Sequence, residues 1–234
     1  MNKRMIRMLP LYAMVLISFY LIAVSGNHAV TTYAENQLLS EKTCIVIDPG
    51  HGGEDGGAIS CTGVSESQLN LEISLRLNDL LHLLGYRTKM IREADISVYT
   101  KGETLSEKKV SDLRHRVKLV EETQNALLLS IHQNDFPESR YSGAQVFYGT
   151  HPSGRQLAEN LRKAFADTVN PGTRRREKKA AGVYLMEKVS CPAVLVECGF
   201  LSNPEEEAKL RTESYQKQIS CVIAATVSRF LSCA

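Results

Sequence analysis

The chain has 234 residues, with 28 lysine and arginine residues against 26 aspartate and glutamate residues and a formal net charge of +2. This near-neutral balance gives no reason to expect a nucleic acid partner, and the length suits one globular domain with extra segments. The six cysteines are too sparse for a disulfide scaffold and form no C-x-x-C pair, which argues against a thiolate zinc finger.

Residues 1–25 have the composition of an export signal. Basic residues within the first seven positions precede an apolar run over residues 8–24, which ends in small residues suited to cleavage. A run of about 17 residues is at the lower limit for spanning a bilayer, so the segment is either a cleaved signal peptide or a retained membrane anchor. Either form predicts an exported protein, with a polar linker over residues 26–42 and a catalytic domain over residues 43–234.

The apolar run Ile45–Ile47 predicts a buried strand that Pro49 and the following glycines end abruptly. His51 is thereby placed at the carboxyl end of a core strand, where open α/β sheets bind ligands. Asp48, three residues before His51, could orient a ligand histidine or bond to turn amides, and the sequence leaves both roles open.

Ser65 and Gln68 form a capping-box pattern that predicts a helix, which Gly85 ends. Its apolar face is formed by Leu69, Ile73, Leu77, Leu80, Leu81 and Leu84. Glu66 falls on this inward face in the first turn. It is either a carboxylate satisfied by free helical N–H groups or a metal ligand, and spacing alone does not separate these roles.

Residues 86–91 predict a second strand, residues 92–109 an irregular surface loop, and residues 112–123 a short helix. A third strand over residues 126–131 also ends in a histidine, His132. Two histidines at strand ends and an inward glutamate between them match the three-ligand open site of a catalytic Zn²⁺ ion.

The rest of the chain predicts a strand over residues 143–148, a helix capped by Ser153, strands over residues 183–186 and 193–196, and a final helix opened by Thr212. Strands and helices alternate along the chain, which indicates an α/β fold with a mostly parallel sheet and helices on both faces. The basic run over residues 170–179 is either a solvated surface or a contact for an acidic polymer.

Glu197 lies within an apolar stretch and has no salt-bridge partner adjacent in sequence. It is a candidate general base or acid with a raised pKa, or else a buried glutamate bonded to backbone or to an arginine. Zinc at His51, Glu66 and His132 would polarise a carbonyl and bring the pKa of a water molecule towards about 7. Proton transfer by Glu197 to a leaving nitrogen would complete amide hydrolysis. Asn134 and Arg92 are further candidates for substrate binding.

Four blocks of the sequence resemble the zinc-dependent N-acetylmuramoyl-L-alanine amidases of type 3. These blocks are IDPGHGG over residues 47–53, Glu66 at the start of a helix, SIHQN over residues 130–134, and VECGFLSN over residues 196–203. The resemblance runs from about residue 43 to residue 231. It implies one zinc ion at His51, Glu66 and His132, a catalytic Glu197, and a six-stranded sheet with helices on both sides. The implied reaction cleaves the amide between the lactyl group of N-acetylmuramic acid and L-alanine in peptidoglycan.

In build, the chain resembles the compact sporulation-type amidases, because it shows no wall-binding repeats and only a short stretch between Ile131 and Gly143. This implies peptide removal during spore-cortex assembly, before a deacetylase yields muramic-δ-lactam, with the forespore intermembrane space as location and an activating protein as a possible partner. A general lytic or cell-separation amidase, a zinc carboxypeptidase and a non-catalytic wall-binding relative are the alternatives. Gln133 departs from the small residue that this family often has beside the ligand histidine.

Overall fold

The computed structural model describes residues 43–233, together with the isolated positions Ile17 and Tyr20. The described residues 43–233 belong to one compact unit. Apart from Ile17 and Tyr20, the predicted export segment and the linker lie outside the described residues. None of the helices in the described part of the chain is long and apolar enough to cross a membrane.

The described residues form a six-stranded sheet. Its strands are β1 (Cys44–Pro49), β2 (Arg87–Met90), β3 (Ala126–Asn134), β4 (Gln145–Tyr148), β5 (Lys178–Lys179) and β6 (Ala193–Phe200). They lie side by side in the order β2-β1-β3-β6-β4-β5. All neighbouring pairs are parallel except β4 and β6, which run antiparallel. The prediction of a mostly parallel α/β sheet is confirmed.

Six helices accompany the sheet in the described residues. They are α1 (Glu66–Leu83), α2 (Leu105–Glu121), α3 (Pro152–Asp167), α4 (Tyr184–Lys188), α5 (Pro204–Leu210) and α6 (Glu213–Ser232). Buried side chains of α1, α3 and α6 pack on one face of the sheet, and those of α2 and α4 pack on the other. Alternate residues of each central strand enter the two clusters, which explains why the strands are apolar on both faces.

Two predicted helix starts differ from the structure. Helix α2 begins at Leu105, seven residues before the predicted start at residue 112, because Thr104 and Glu107 form a capping box there. The predicted irregular loop is correspondingly shorter. Helix α3 is capped by His151, with Pro152 in its first turn, rather than by Ser153.

The predicted strand over residues 183–186 is wrong. Val183 is the N-cap of α4 and residues 184–186 lie in that helix, with Leu185 and Met186 buried in the core. The periodicity of a short apolar run does not distinguish a helix from a strand. Here one turn of helix buries the apolar side chains on one side. Helix α5 was not predicted, although Asn203 followed by Pro204 is a typical helix start.

The strand register decides where the functional residues meet. Pro49 of β1 lies opposite Ile131 of β3. His51 and His132, which come shortly after these two residues, therefore lie at the same edge of the sheet. In the next pair, His132 of β3 lies opposite Glu197 of β6. Adjacent strands are about 4.8 Å apart, and three of the predicted site residues therefore converge at the carboxyl edge of the parallel strands.

Candidate metal and catalytic site

His51 stands on a backbone that the surrounding structure holds in a left-handed conformation, with φ of 60°. The Gly50 N–H donates to the Ile131 carbonyl at 3.0 Å, and the Gly52 N–H donates to the Asp55 carbonyl at 2.8 Å. Such a conformation costs a non-glycine residue about 1–3 kcal/mol and persists only where neighbouring contacts enforce it. The turn thus directs the imidazole towards the edge of the sheet at an energetic cost that other contacts offset.

Glu66 reaches both histidines from the first turn of α1. Its Oε1 atom lies 2.8 Å from His132 Nδ1, and its Oε2 atom lies 3.2 Å from His51 Nε2. The N–H groups of Ala58 and Gln133 donate to this carboxylate at 3.0 and 3.2 Å. Burial alone would raise the pKa of Glu66, but the two imidazoles hold it well below its usual range. The carboxylate is therefore ionised and fixed in orientation.

His51, Glu66 and His132 can each present a ligand atom, and these atoms lie within 4.8 Å of one another. Two imidazoles and one carboxylate suit a divalent metal ion and leave further coordination positions open. Two glycines leave space for these side chains. A Cβ on Gly50 would overlap the His132 imidazole, and one on Gly57 would lie 2.5 Å from Glu66 Oε2. The residues present fit a bound metal ion.

Glu197 lies beside this cluster on β6. The residue is partly exposed, but its Oε2 atom is buried and has no hydrogen-bond partner among the described residues. Burial raises the pKa of Glu197 to about 7, with a further increase from Glu66, although the two histidines oppose it. A carboxyl group with this pKa can accept and return a proton near neutral pH.

Within the part of the chain that the structure describes, the Asp48 side chain hydrogen-bonds to neither turn amides nor a candidate ligand imidazole. Its carboxylate accepts from Ser130 Oγ at 2.6 Å and forms a buried ion pair with Arg116 Nη1 at 2.5 Å. Burial raises the pKa of Asp48, but Arg116 and Ser130 together bring it below its usual value. Arg116 Nη2 also donates to the His51 carbonyl at 2.7 Å, so the pair is connected to the turn that carries His51.

Arg92 is 2% exposed, and its donors are engaged by backbone carbonyls. It donates to Pro49 at 2.9 Å, to Gly50 at 3.0 Å and to Ser67 at 2.8 Å. The structure therefore places Arg92 behind the turn that carries His51, which we call the ligand turn. There it joins the ligand turn to α1. Asn134 lies at the end of β3 beyond an irregularity in register, and its carbonyl accepts from the Leu201 N–H at 2.8 Å.

Asp55 and Arg116 were not recognised from the sequence. Asp55 Oδ2 lies 3.0 Å from His51 Nδ1, which is an ion-pair distance, although the ring N–H is not aligned for a hydrogen bond. Lys109 Nζ lies 3.2 Å from the same oxygen. The only sequence signal for Asp55 was its spacing of four residues from His51. For Arg116, the four-residue spacing from Asp112 on α2 was the corresponding signal.

The charge on His51 predicts that metal binding depends on pH. Burial alone would lower the pKa of the imidazole, but Asp55 and Glu66 raise it to about 9 in the metal-free protein. The protonated ring thus stabilises the metal-free fold below pH 6.5, and this contribution is lost as the pH rises through about 9. Because a ligand imidazole must be neutral, binding of a divalent metal ion such as zinc at about pH 7.5 should release a proton from His51. Calorimetric titration in buffers of different ionisation enthalpy measures this proton.

Asp55→Asn should reduce the proton release, because the change removes a carboxylate that raises the His51 pKa. It should also weaken metal binding by about 10- to 100-fold, the usual effect of removing a residue that contacts a metal ligand. Asp79→Asn, an identical change on the exposed side of α1, is the control. Equal proton release by both variants would contradict the role of Asp55.

The comparison with protein families gives one match along most of the chain. Residues 45–229 match the family model described as N-acetylmuramoyl-L-alanine amidase. The match contains all of β1 beyond its first residue and continues into α6. It therefore includes His51, Glu66, His132 and Glu197.

Curated proteins and solved structures give similar results. The chain is 36% identical over 190 residues to the germination-specific N-acetylmuramoyl-L-alanine amidase of Bacillus subtilis strain 168, which covers 80% of this chain and 79% of that protein. It is 32% identical over 213 residues to the amidase LytC of the same strain, covering 88% of this chain and 40% of LytC. The structure of the CwlD amidase from Clostridioides difficile, in complex with the GerS lipoprotein, superposes with a TM-score of 0.79 at 33% identity. That superposition covers 82% of this chain and 99% of CwlD.

Proposed function

The chain belongs to the N-acetylmuramoyl-L-alanine amidase family and is a peptidoglycan amidase, and we propose that it works with one zinc ion held by His51, Glu66 and His132. The observation that carries this proposal is the convergence of these three side chains beside Glu197 at one edge of the sheet. Nitrogen and carboxylate oxygen ligands in a 2:1 ratio are a common zinc set in hydrolases.

In the proposed reaction, the bond between the lactyl carbonyl carbon of N-acetylmuramic acid and the nitrogen of L-alanine breaks. When bound, zinc would polarise that carbonyl and acidify an attacking water molecule. Glu197 accepts the proton of the water as its oxygen bonds to the carbonyl carbon, and then donates this proton to the leaving nitrogen. The buried, unpartnered Oε2 atom and the pKa of about 7 support this assignment. We assign Arg92 and Asp48 to positioning the ligand turn, and Asn134 to substrate binding at the end of β3.

The similarity to a germination-specific amidase and to CwlD supports a role in spore-cortex maturation, with muramic-δ-lactam as the later product. Export by residues 1–25 would deliver the enzyme outside the cytoplasm, as a secreted or anchored protein, with the forespore intermembrane space as the proposed location. Because the CwlD structure contains the GerS lipoprotein, we propose an accessory protein for this chain as well. The similarity to LytC favours a second candidate, a general wall-lytic role.

Product analysis of digested sacculi by mass spectrometry tests the reaction. An amidase exposes the amino group of L-alanine and leaves the glycan strands intact. Loss of a carboxyl-terminal residue would instead indicate a carboxypeptidase, and an undigested sacculus would indicate a wall-binding protein. Parallel digestion of vegetative wall and spore cortex separates the two candidate roles, since the cortex role predicts faster release from cortex.

Metal analysis of the purified protein tests the ligand set. We expect about one zinc per chain in the parent protein and little in His51→Ala, because two remaining ligands bind zinc too weakly to survive purification. His115→Ala removes a histidine of α2 that is not among the cluster residues, and it should retain zinc. Full zinc occupancy in His51→Ala would refute the assigned ligands.

A further inference from the structure

The basic run over residues 170–179 separates into two parts in the structure. Lys178 and Lys179 form β5, the exposed edge strand beside β4. Lysine on an edge strand commonly prevents further strand pairing and needs no ligand to explain it. Arg174 and Arg175, in contrast, line a groove, which we call the arginine groove.

The arginine groove is formed by residues 140–143 before β4, residues 169–175 before β5, and α5 with the preceding Asn203. Its volume is about 690 Å³, compared with about 150 Å³ for the cavity beside His51. All three segments lie at the edge of the sheet where β3 and β6 end. The groove and the candidate zinc site therefore share one edge of the molecule.

The walls of the groove are held in place by hydrogen bonds and by a cation–π contact. Arg175 lies 4.5 Å from the centre of the Phe200 ring and donates from Nε to the Ser142 carbonyl at 2.9 Å. The Glu206 carboxylate accepts from the N–H groups of Gly143 and Phe200, both at 2.8 Å. Because backbone donors already engage the Glu206 carboxylate, it opposes a bound anion less than a free carboxylate would.

Two cations in the groove are available for a ligand. Arg174 and Lys209 are exposed, and neither forms an ion pair within 4.0 Å in the described part of the chain. Arg140, at the rim, is already paired with Glu138 at 2.6 Å. Glu205 is the exposed carboxylate that lines the same groove. Unpaired cations on a preformed surface favour a ligand with carboxylates or phosphates.

Gln145 connects the groove to the catalytic residue. It lies opposite Glu197 in the β4–β6 register, and its Nε2 atom donates to the Arg176 carbonyl at 2.5 Å. Arg175 Nη1 lies 3.5 Å from Gln145 Oε1. The segment with the arginines is thus held against Gln145, the neighbour of Glu197. A peptide that leaves the reaction centre in an extended conformation would advance about 3.3–3.6 Å per residue towards the groove.

We propose that the arginine groove binds the carboxylates of the peptidoglycan stem peptide through Arg174 and Lys209. The inference rests on the proposed function, because it identifies the groove as the site for the peptide side of the cleaved amide. The stem peptide suits the groove since it is extended and carries free carboxylates, whereas the glycan backbone is largely uncharged. Binding there would retain acidic peptides and discriminate against amidated ones.

The test compares two pairs of charge-removing changes. Arg174→Gln and Lys209→Gln alter the groove, and Lys178→Gln with Lys179→Gln removes the same charge from β5 as a matched control. For a soluble muramyl tetrapeptide, we expect each groove change to raise KM about three- to fivefold and the pair to raise it about tenfold, with kcat within about twofold. The control pair should leave both constants unchanged. The Kd of the free acidic tetrapeptide, measured by calorimetry, should weaken in parallel.

A substrate with amidated carboxylates completes the test. The parent protein should bind it with the weakened KM of the groove variant, and the groove changes should cost nothing further. Equal KM and Kd values for the parent protein and the groove pair would overturn the proposal, as would an equal effect of the control pair. If the groove changes weakened only binding to wall that contains teichoic acid, the ligand would be that phosphate polymer and the proposal would be wrong. Failure of the parent protein to cleave the amide would instead contradict the proposed function, and the tetrapeptide Kd would still report on the groove.

Discussion

Replacement of Glu197 by glutamine is expected to lower kcat by about 10²- to 10⁴-fold, the usual contribution of a general acid–base residue. Glutamine has nearly the same shape as glutamate but cannot accept a proton at this position. Zinc content and thermal stability should stay close to those of the parent protein, because Glu197 Oε2 forms no hydrogen bond among the described residues whose loss would destabilise the fold. Release of stem peptides from sacculi measures the effect.

Glu159→Gln is a suitable control, because it makes the same chemical change at an exposed position of α3. This variant should cleave at the parent rate. If Glu197→Gln also cleaved within about threefold of the parent rate, proton transfer by Glu197 would be excluded as a main part of the mechanism. A variant that lost zinc together with activity would show that Glu197 acts through the metal site rather than on the substrate.

Replacement of Arg116 by methionine is expected to destabilise the fold by about 3–5 kcal/mol, which is the usual cost of leaving a buried charge without its partner. Arg116 is 3% exposed, and its guanidinium contacts the carboxylates of Asp48 and Asp112, both at 2.5 Å. It also donates to the carbonyls of Pro49 and His51 at 3.0 and 2.7 Å. The change therefore removes contacts that hold the ligand turn, and zinc affinity should fall as well. Urea unfolding and competition with a chelator measure the two effects.

Arg114→Met on the exposed side of α2 is the control and should cost less than about 0.5 kcal/mol. The Asp48→Asn, Arg116→Met double variant should be less destabilised than the sum of the single variants, by about 1–3 kcal/mol. The sign of the pH dependence provides a further check. In the parent protein, the lowered pKa of Asp48 stabilises the fold above the unfolded value of 3.8 and this stability is lost as the pH falls further. In Arg116→Met, the cation that lowers the pKa of Asp48 is gone and burial raises this pKa. The destabilisation caused by the change should therefore become smaller as the pH falls. Additive single effects would contradict a coupled pair.

Much of the candidate site could be predicted because its signals are local. The apolar run before His51 and the one before His132 are short enough to indicate strands. His132 lies directly after its apolar run and inside β3, and His51 lies two residues beyond the end of β1. The cap at Ser65 likewise indicates where α1 begins and therefore on which turn Glu66 lies. Parallel strands present their carboxyl ends at one edge, so these local patterns were enough to bring the three residues together.

Contacts between residues far apart in the sequence were not predictable in the same way. Asp48 meets Arg116 across 68 positions, and only the packing of α2 on the sheet selects that partner over the nearby turn amides. Contacts with the turn that carries His51 and with α1 bury Arg92, whose charge in the sequence suggested substrate binding. The sequence of the basic run over residues 170–179 did not distinguish a solvated surface from a binding site.

By itself, the sequence determined the α/β class, the types of residue at the strand ends and the position of Glu197, the proposed catalytic carboxylate, within an apolar stretch. These features depend on the order of residues over one or two turns or strands. The tertiary structure alone decided which buried charges pair, how the left-handed turn at His51 is held, and that Arg174 and Lys209 lie in one groove. The physical reason is that burial and electrostatic pairing depend on distances in space, which the strand register and the placement of helices set.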